Sequence, residues 1–304
     1  MQTVDLSKAP ELFRGCGVPG RRMSDELLKL FSDNEKLLWR ALCPSGVRLD
    51  FITDALEMNY ALEFGQPVRQ IFTSDIFVDG KLQTVDGAGV HNFKFVPGKK
   101  HIVIHLPHLV VLEKVALEIS DGAMIEAASA SEKRLLFCGD SICQGMVTSR
   151  PALALVPRVG AALNADYVNT SVGGARMSAD HLKFTMAIPG DVIIMALGVN
   201  NAIGKTPYDE FKAETERTLA AMNDFPGGKV VVLPIPNVAP STPDLDVYRN
   251  IIREAAAAYP AVKVVDGYDF YPAKGELYYD NTHPNDDGSA VYADFLTDVL
   301  KTLL

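Results

Sequence analysis

Residues 191–198 read DVIIMALG, six apolar side chains between an aspartate and a glycine, and the loop that follows begins Val199-Asn200-Asn201. An unbroken apolar run of this length marks a strand covered by helices on both faces, because neither face alternates with water. Similar runs stand at 134–139 (RLLFCG), 166–172 (DYVNTSV), 229–237 (KVVVLPIPN) and 262–270 (VKVVDGYDF). Between and after them lie helical stretches at 151–164, 206–225, 244–259 and 289–304. In the last of these Val291, Phe295, Leu296, Val299, Leu300 and Leu303 recur at helical spacing and read as core. Strand–helix alternation implies a parallel sheet wound by right-handed crossovers, an α/β layer.

Upstream the pattern changes. From Ser45 to about Ile125 short alternating runs follow one another without a helical stretch: 46–55, 57–64, 69–80, 81–85, 91–96, 101–106 and 110–120. Asp79-Gly80 fits a two-residue hairpin turn and Pro97-Gly98 a wider one. This spacing predicts an antiparallel β-sandwich. Ahead of it, Ser24 is placed to cap a helix over 25–42. The polar stretch 126–134 (EAASASEKR) has no periodicity and sets a boundary, giving a β-sandwich accessory domain over 1–130 and an α/β domain over 131–304.

The 304-residue length agrees with two domains. Lys and Arg number 29 against 38 Asp and Glu, a net charge of −9, and no Lys/Arg run exceeds two. That excludes a protein that tracks nucleic acid or anionic lipid, which needs clustered cations. Four scattered cysteines exclude a disulfide framework and a CxxC-type zinc site. No membrane-length apolar run is present, and the first residues lack a signal-peptide core. The expected compartment is the cytoplasm; a leader removed ahead of residue 1 is compatible with the same reading.

In doubly wound sheets the working residues sit on loops at the carboxyl ends of the strands. Those loops carry Gly139-Asp140-Ser141, Gly173-Gly174, Asn200-Asn201, and Asp280 to Pro284. Taken singly, each has a plain structural use: Ser141 as a helix cap, Gly174 as a positive-φ residue, Asn200 as a loop asparagine, Asp280 and His283 as a surface turn. Together they supply what acyl transfer needs: nucleophile Ser141, base His283, orienting carboxylate Asp280 three residues earlier in a helical turn, and the Ser141 N–H, Gly174 N–H and Asn200 amide as oxyanion donors. His181 reads as part of a surface helix. His101, His105 and His108 lack a carboxylate or cysteine at ligand spacing and read as a strand face rather than a metal site. Cys138 and Cys143 bracket Ser141, the first as a small core residue. Arg176 is either a substrate contact or a surface charge.

These four loops resemble the SGNH (GDSL-type) hydrolase superfamily. LLFCGDSICQG at 135–145 matches the first block, with isoleucine in the leucine place. Asn169 and Gly174 in NTSVGGARMS match the second, and Gly198-Val199-Asn200-Asn201 the third, with Asn201 where the family usually has Asp. Asp280 to Pro284 match the DxxHP block. The resemblance implies a three-layer flavodoxin-like domain, Ser141, Asp280 and His283 as catalytic residues, and Ser141, Gly174 and Asn200 as the oxyanion hole. It also implies no metal or organic cofactor. A β-rich domain in front is similar to carbohydrate-esterase-like members with an N-terminal jelly roll. The implied function is a serine esterase acting on short-chain, above all acetyl, esters of a carbohydrate; the acidic chain suits a neutral ester. A lysophospholipase or thioesterase with the same triad, and a non-catalytic carbohydrate-binding protein, are the alternatives.

Overall fold

The computed structural model describes residues 1–237, 239 and 244–304. The chain opens with β1 (Gln2–Val4) and β2 (Phe13–Arg14), then the short helices α1 (Asp25–Lys29) and α2 (Glu35–Leu42). The single helix expected over 25–42 is thus two. Ser24 caps the first by accepting from the Leu27 N–H. Asn34 stops continuation and caps the second by accepting from the Lys36 and Leu37 N–H groups.

Eight strands follow: β3 (Arg48–Thr53), β4 (Glu57–Pro67), β5 (Thr73–Val78), β6 (Lys81–Asp86), β7 (Gly89–Lys94), β8 (Lys100–His105), β9 (Val110–Ile119) and β10 (Ile125–Ala127). They form two antiparallel sheets, ordered β1-β9-β4-β7 and β10-β3-β8-β5-β6, with β2 paired to β3. Inward-facing side chains of both sheets, among them Leu49, Phe51, Met58, Tyr60, Ile102 and Leu117, make one core. Asp79 and Gly80 take positive φ and close the β5–β6 hairpin as expected. Pro97-Gly98 differs from expectation: β7 belongs to one sheet and β8 to the other, so this turn crosses between sheets.

The second half builds a parallel sheet from β11 (Arg134–Gly139), β12 (Asp166–Asn169), β13 (Val192–Ala196), β14 (Gly228–Val232) and β15 (Val262–Val265), in the order β12-β11-β13-β14-β15. This is the flavodoxin-like order, whose topological switch lies between the first and third strands, β11 and β13. Interspersed are α3 (Ser141–Gln144), α4 (Leu155–Leu163), α5 (Ala179–Met186), α6 (Val199–Ile203), α7 (Tyr208–Asn223), α8 (Leu245–Ala256), α9 (Gly267–Phe270) and α10 (Asp286–Leu300). The α4–α10 face of the sheet buries Leu135, Phe137, Ile194 and Val230; the opposite face buries Leu136, Cys138, Ile193 and Met195. Both faces of the central strand β13 are dry, which is why 191–198 reads as an unbroken apolar run.

Met23, Leu27, Phe31 and Ala41, between β2 and β3, are buried in the same core as Leu182, Met195 and Phe211. Residues 23–41, with α1 and α2, are therefore packed on the α/β layer. Arg48 of β3 reaches Asp166 of β12 at 2.5 Å, and Arg150 reaches the fully buried Asp75 of β5 at 3.0 Å. These pairs fix the sandwich to the same layer. No helix among the described residues is long and apolar enough to cross a membrane.

Candidate active site

Strand β11 delivers Gly139, Asp140 and Ser141 to the switch point. A Cβ on Gly139 would stand 2.8 Å from Cys143 Sγ and 3.0 Å from Ser171 Oγ, so only glycine lets the chain turn into α3 here. Asp140, not Ser141, is the helix cap: its Oδ1 accepts the Ile142 N–H at 3.0 Å. The serine hydroxyl is left free for another partner. That partner is His283, whose Nε2 lies 2.9 Å from Ser141 Oγ.

His283 is held by Asp280. Its Nδ1 lies 2.8 Å from Asp280 Oδ2, and Asp280 Oδ1 accepts the backbone N–H groups of Thr282 (2.7 Å) and His283 (2.8 Å). The three-residue spacing works through a bend closed by the carboxylate, rather than through the helical turn expected from the sequence. Partial burial pushes the Asp280 carboxyl up, but the hydrogen bonds from the His283 ring and the two N–H groups outweigh it and hold it below the ordinary carboxylate value. A hydroxyl, an imidazole and a carboxylate in this order can pass a proton from the first to the second while the third stabilises the imidazolium.

Gly174 follows β12 with φ +86, and its N–H has no acceptor among the described residues. Asn200 heads α6; its Nδ2 donates to the Ala175 carbonyl at 3.0 Å and stands 3.5 Å from Asp140 Oδ2. One amide hydrogen is thus taken by the neighbouring loop. Asn201 accepts the Met177 N–H at 2.8 Å through its amide oxygen, a bond that a carboxylate in the same place would also accept. Asn169 lies beneath the loop, donating to the Cys143 carbonyl and accepting from the Ser171 N–H.

Burial drives the Asp140 carboxyl up to about 7, against the opposing Ile142 hydrogen bond. Burial likewise pushes the Cys138 thiol up to about 12 and raises Cys143 too. Both cysteines that bracket Ser141 are buried and apolar in behaviour.

His181 departs from its expected surface helix. It is 1% exposed, its Nε2 lies 3.0 Å from the Thr170 carbonyl, and burial pushes it down to about 4. His101 and His105 do share a strand face, but His108 lies beyond that strand and is buried, with Nε2 3.0 Å from the Gly145 carbonyl at the end of α3. Arg176 is exposed beside Gly174 and Ala175. Among the described residues no group of three His, Cys, Asp or Glu side chains is arranged to hold a metal.

Three residues near the site had no signal in the sequence. Gln144 accepts the Gly173 N–H at 2.6 Å and donates to the Arg40 carbonyl at 2.7 Å. Arg40 donates to the Gly173 carbonyl at 2.7 Å. Arg22, fully buried, donates to the carbonyls of Ser171, Arg40 and Ala41. Only their distant partners reveal them.

The fold and the loops define an α/β serine-hydrolase architecture with a β-sandwich in front. The sequence profile of the GDSL-like Lipase/Acylhydrolase family matches residues 137–291, and the chain belongs to that family of carboxylic ester hydrolases. A search of curated protein sequences returned no match. Among solved structures the chain is similar to the salicylyl-acyltransferase SsfX3 from a tetracycline biosynthetic pathway, with 22% identity, a TM-score of 0.80, and 96% and 94% of the two chains covered. It is also similar to a carbohydrate esterase family 2 enzyme from Myceliophthora fergusii (14%, 0.68, 87% and 96%). A third is an acetyl xylan esterase from Butyrivibrio proteoclasticus (14%, 0.60, 99% and 98%). At these identities the likeness is one of fold.

Proposed function

We propose that the protein is a serine esterase that hydrolyses short-chain acyl esters, acetyl above all, of a carbohydrate alcohol. The observation that carries this reading is the line Ser141 Oγ–His283 Nε2, 2.9 Å, with His283 Nδ1–Asp280 Oδ2, 2.8 Å, behind it. His283 takes the Ser141 proton as Oγ adds to the ester carbonyl. The Ser141 N–H, the Gly174 N–H and the Asn200 amide, whose long 3.5 Å bond to Asp140 is the one to give way, receive the oxyanion. The alcohol leaves with the proton from His283, and water, deprotonated by the same imidazole, then cleaves the acyl-enzyme.

We assign to the acyl group a cavity of about 20 Å³ lined by Asp140 and Ile142, the chain neighbours of Ser141, with Leu197, Val199, Pro234 and Ile235. That is room for roughly one water-sized group, such as a methyl. A wider pocket of about 620 Å³ flanks Gly174 and has space for the alcohol. The carbohydrate rests on analogy with the esterases of similar fold. In this reading residues 131–304 carry the chemistry and residues 1–130 build one wall of the cleft.

A chain-length series of 4-nitrophenyl esters, with Ser141→Ala as control, tests it. Expected are acetate hydrolysis far above the control and a steep fall by octanoate, together with acetate release from acetylated xylan. Preference for long chains would instead indicate a lipid or thioester substrate. Activity no higher than the control's would mean a binding protein on an inactive hydrolase scaffold.

A further inference from the structure

We infer that Arg40 of α2 is a positioning residue for the oxyanion hole; the inference rests on the esterase reading above. The Gly173 carbonyl and the Gly174 N–H belong to the same planar unit and point in opposite directions, because the peptide bond is trans and rigid. Whatever holds the carbonyl therefore aims the N–H. Arg40 Nη1 holds that carbonyl at 2.7 Å, and the Gly174 N–H has no protein acceptor among the described residues.

The hold is charged, which matters in two ways. A guanidinium on the carbonyl oxygen draws electron density through the amide and makes its N–H a stronger donor. It also opposes rotation at Gly174, which sits at φ +86 with no side chain to restrain it. Arg40 itself is fixed from its backbone: its carbonyl accepts from Gln144 Nε2 at 2.7 Å and from Arg22 Nη2 at 3.0 Å. Gln144 closes the circuit by accepting the Gly173 N–H at 2.6 Å. The residue three places after Ser141 and the arginine of α2 thus grip the same glycine from both sides. Arg40 has no carboxylate within ion-pair distance among the described residues, and half-burial and the like charge of Arg69 work against its cation. Its contact with Gly173 costs desolvation that no ion pair offsets, which a site can sustain where the geometry it fixes matters for rate.

The test uses full-length Arg40→Met and Arg40→Lys, with active sites counted by a fluorophosphonate that labels Ser141. For 4-nitrophenyl acetate, kcat per labelled site should fall about 10- to 100-fold in Arg40→Met, with KM changed far less, as for a lost oxyanion contact. Affinity for phenylboronic acid, which forms a tetrahedral adduct on the serine, should fall in parallel. Arg40→Lys, able to donate to the same carbonyl, should recover much of both, and added guanidinium ion should partly rescue Arg40→Met. If kcat per labelled site stays within about twofold of wild type, or falls while boronate affinity does not, Arg40 is a structural residue and the inference is overturned. If wild type itself is no faster than Ser141→Ala, the esterase reading fails and takes this inference with it.

Discussion

The Asp280 carboxylate meets His283 twice, at the ring Nδ1 (2.8 Å to Oδ2) and at the backbone N–H (2.8 Å to Oδ1). One side chain therefore sets both the orientation of the imidazole and the shape of the bend that carries it. Replacing Asp280 by Asn keeps the bend's acceptor oxygen but removes the charge that favours the imidazolium. We expect kcat/KM to fall about 10²- to 10⁴-fold while the melting temperature changes little. Because Asp280 is held below the usual carboxylate value, its charge persists on acidification until pH falls through that lowered value. A pH–rate profile should accordingly assign any loss of activity well above pH 4 to a group other than Asp280.

Asp140 is the opposite case, a carboxyl that burial raises from 3.8 to about 7. A group whose folded pKa is raised contributes stability that is fully present below its unfolded value and lost as pH rises through its folded value. The difference between the two values corresponds to on the order of 4 kcal/mol between protonation states. Asn at this position keeps an acceptor for the Ile142 N–H and cannot ionise. Thermal denaturation should find Asp140→Asn more stable than wild type at pH 8, with the advantage shrinking steadily toward pH 5. An unchanged difference across that range would show that Asp140 is ionised throughout.

Arg22 has no carboxylate partner among the described residues and spends its guanidinium on three backbone carbonyls, two in α2 and one in the loop leading to Gly174. Burial works against its charge, bringing it down to about 10. Arg22→Met fills the volume but leaves the Ser171 and Ala41 carbonyls without this donor, while the Arg40 carbonyl keeps Gln144 Nε2, at a cost of about 3–5 kcal/mol in unfolding free energy. Leu27→Ala, a core truncation in the adjoining helix, should cost about 2–5 kcal/mol. Compared by urea denaturation and kinetics together, Arg22→Met should lose more kcat per unit of stability lost, since only it releases the Ser171–Gly174 loop.

What was legible in the sequence follows a physical division. The α/β layer could be read because its central strands are dry on both faces and its chemistry falls on loops adjacent to strand ends. Ser141, Gly174, Asn200, Asp280 and His283 each stand in a short local pattern, and the fold brings Ser141 and His283 together across 142 residues. The β-sandwich could be read from alternation, yet alternation does not say which strands share a sheet, so 97–98 passed for a hairpin turn. His181 looked exposed because helical spacing alone does not reveal that Phe31, 150 positions away, covers it with ring centroids 5.3 Å apart. Arg22, Arg40 and Gln144 were invisible for the same reason. Their partners are backbone atoms, which leave no mark in the composition of either segment.

Gly174 tests whether the loop's geometry, rather than its mere presence, sets the rate. At φ +86 an L side chain is disfavoured, by roughly 1–2 kcal/mol. A Cβ there would also stand 2.8 Å from Arg40 Nη1 and 3.1 Å from Leu37 Cδ2. Gly174→Ala must therefore rotate the peptide, displace Arg40, or both, and each of these moves the N–H assigned to the oxyanion. The melting temperature should drop by only a few degrees, as a strain of that size implies. Turnover of 4-nitrophenyl acetate per titrated serine should drop about 10²-fold or more. Gly173→Ala, whose Cβ would collide with Met146 Cε at 2.1 Å, perturbs packing on the other side of the same peptide. A flexible methionine can yield, so a smaller loss of turnover in Gly173→Ala than in Gly174→Ala is the expected order, and the reverse order would place the oxyanion donor elsewhere.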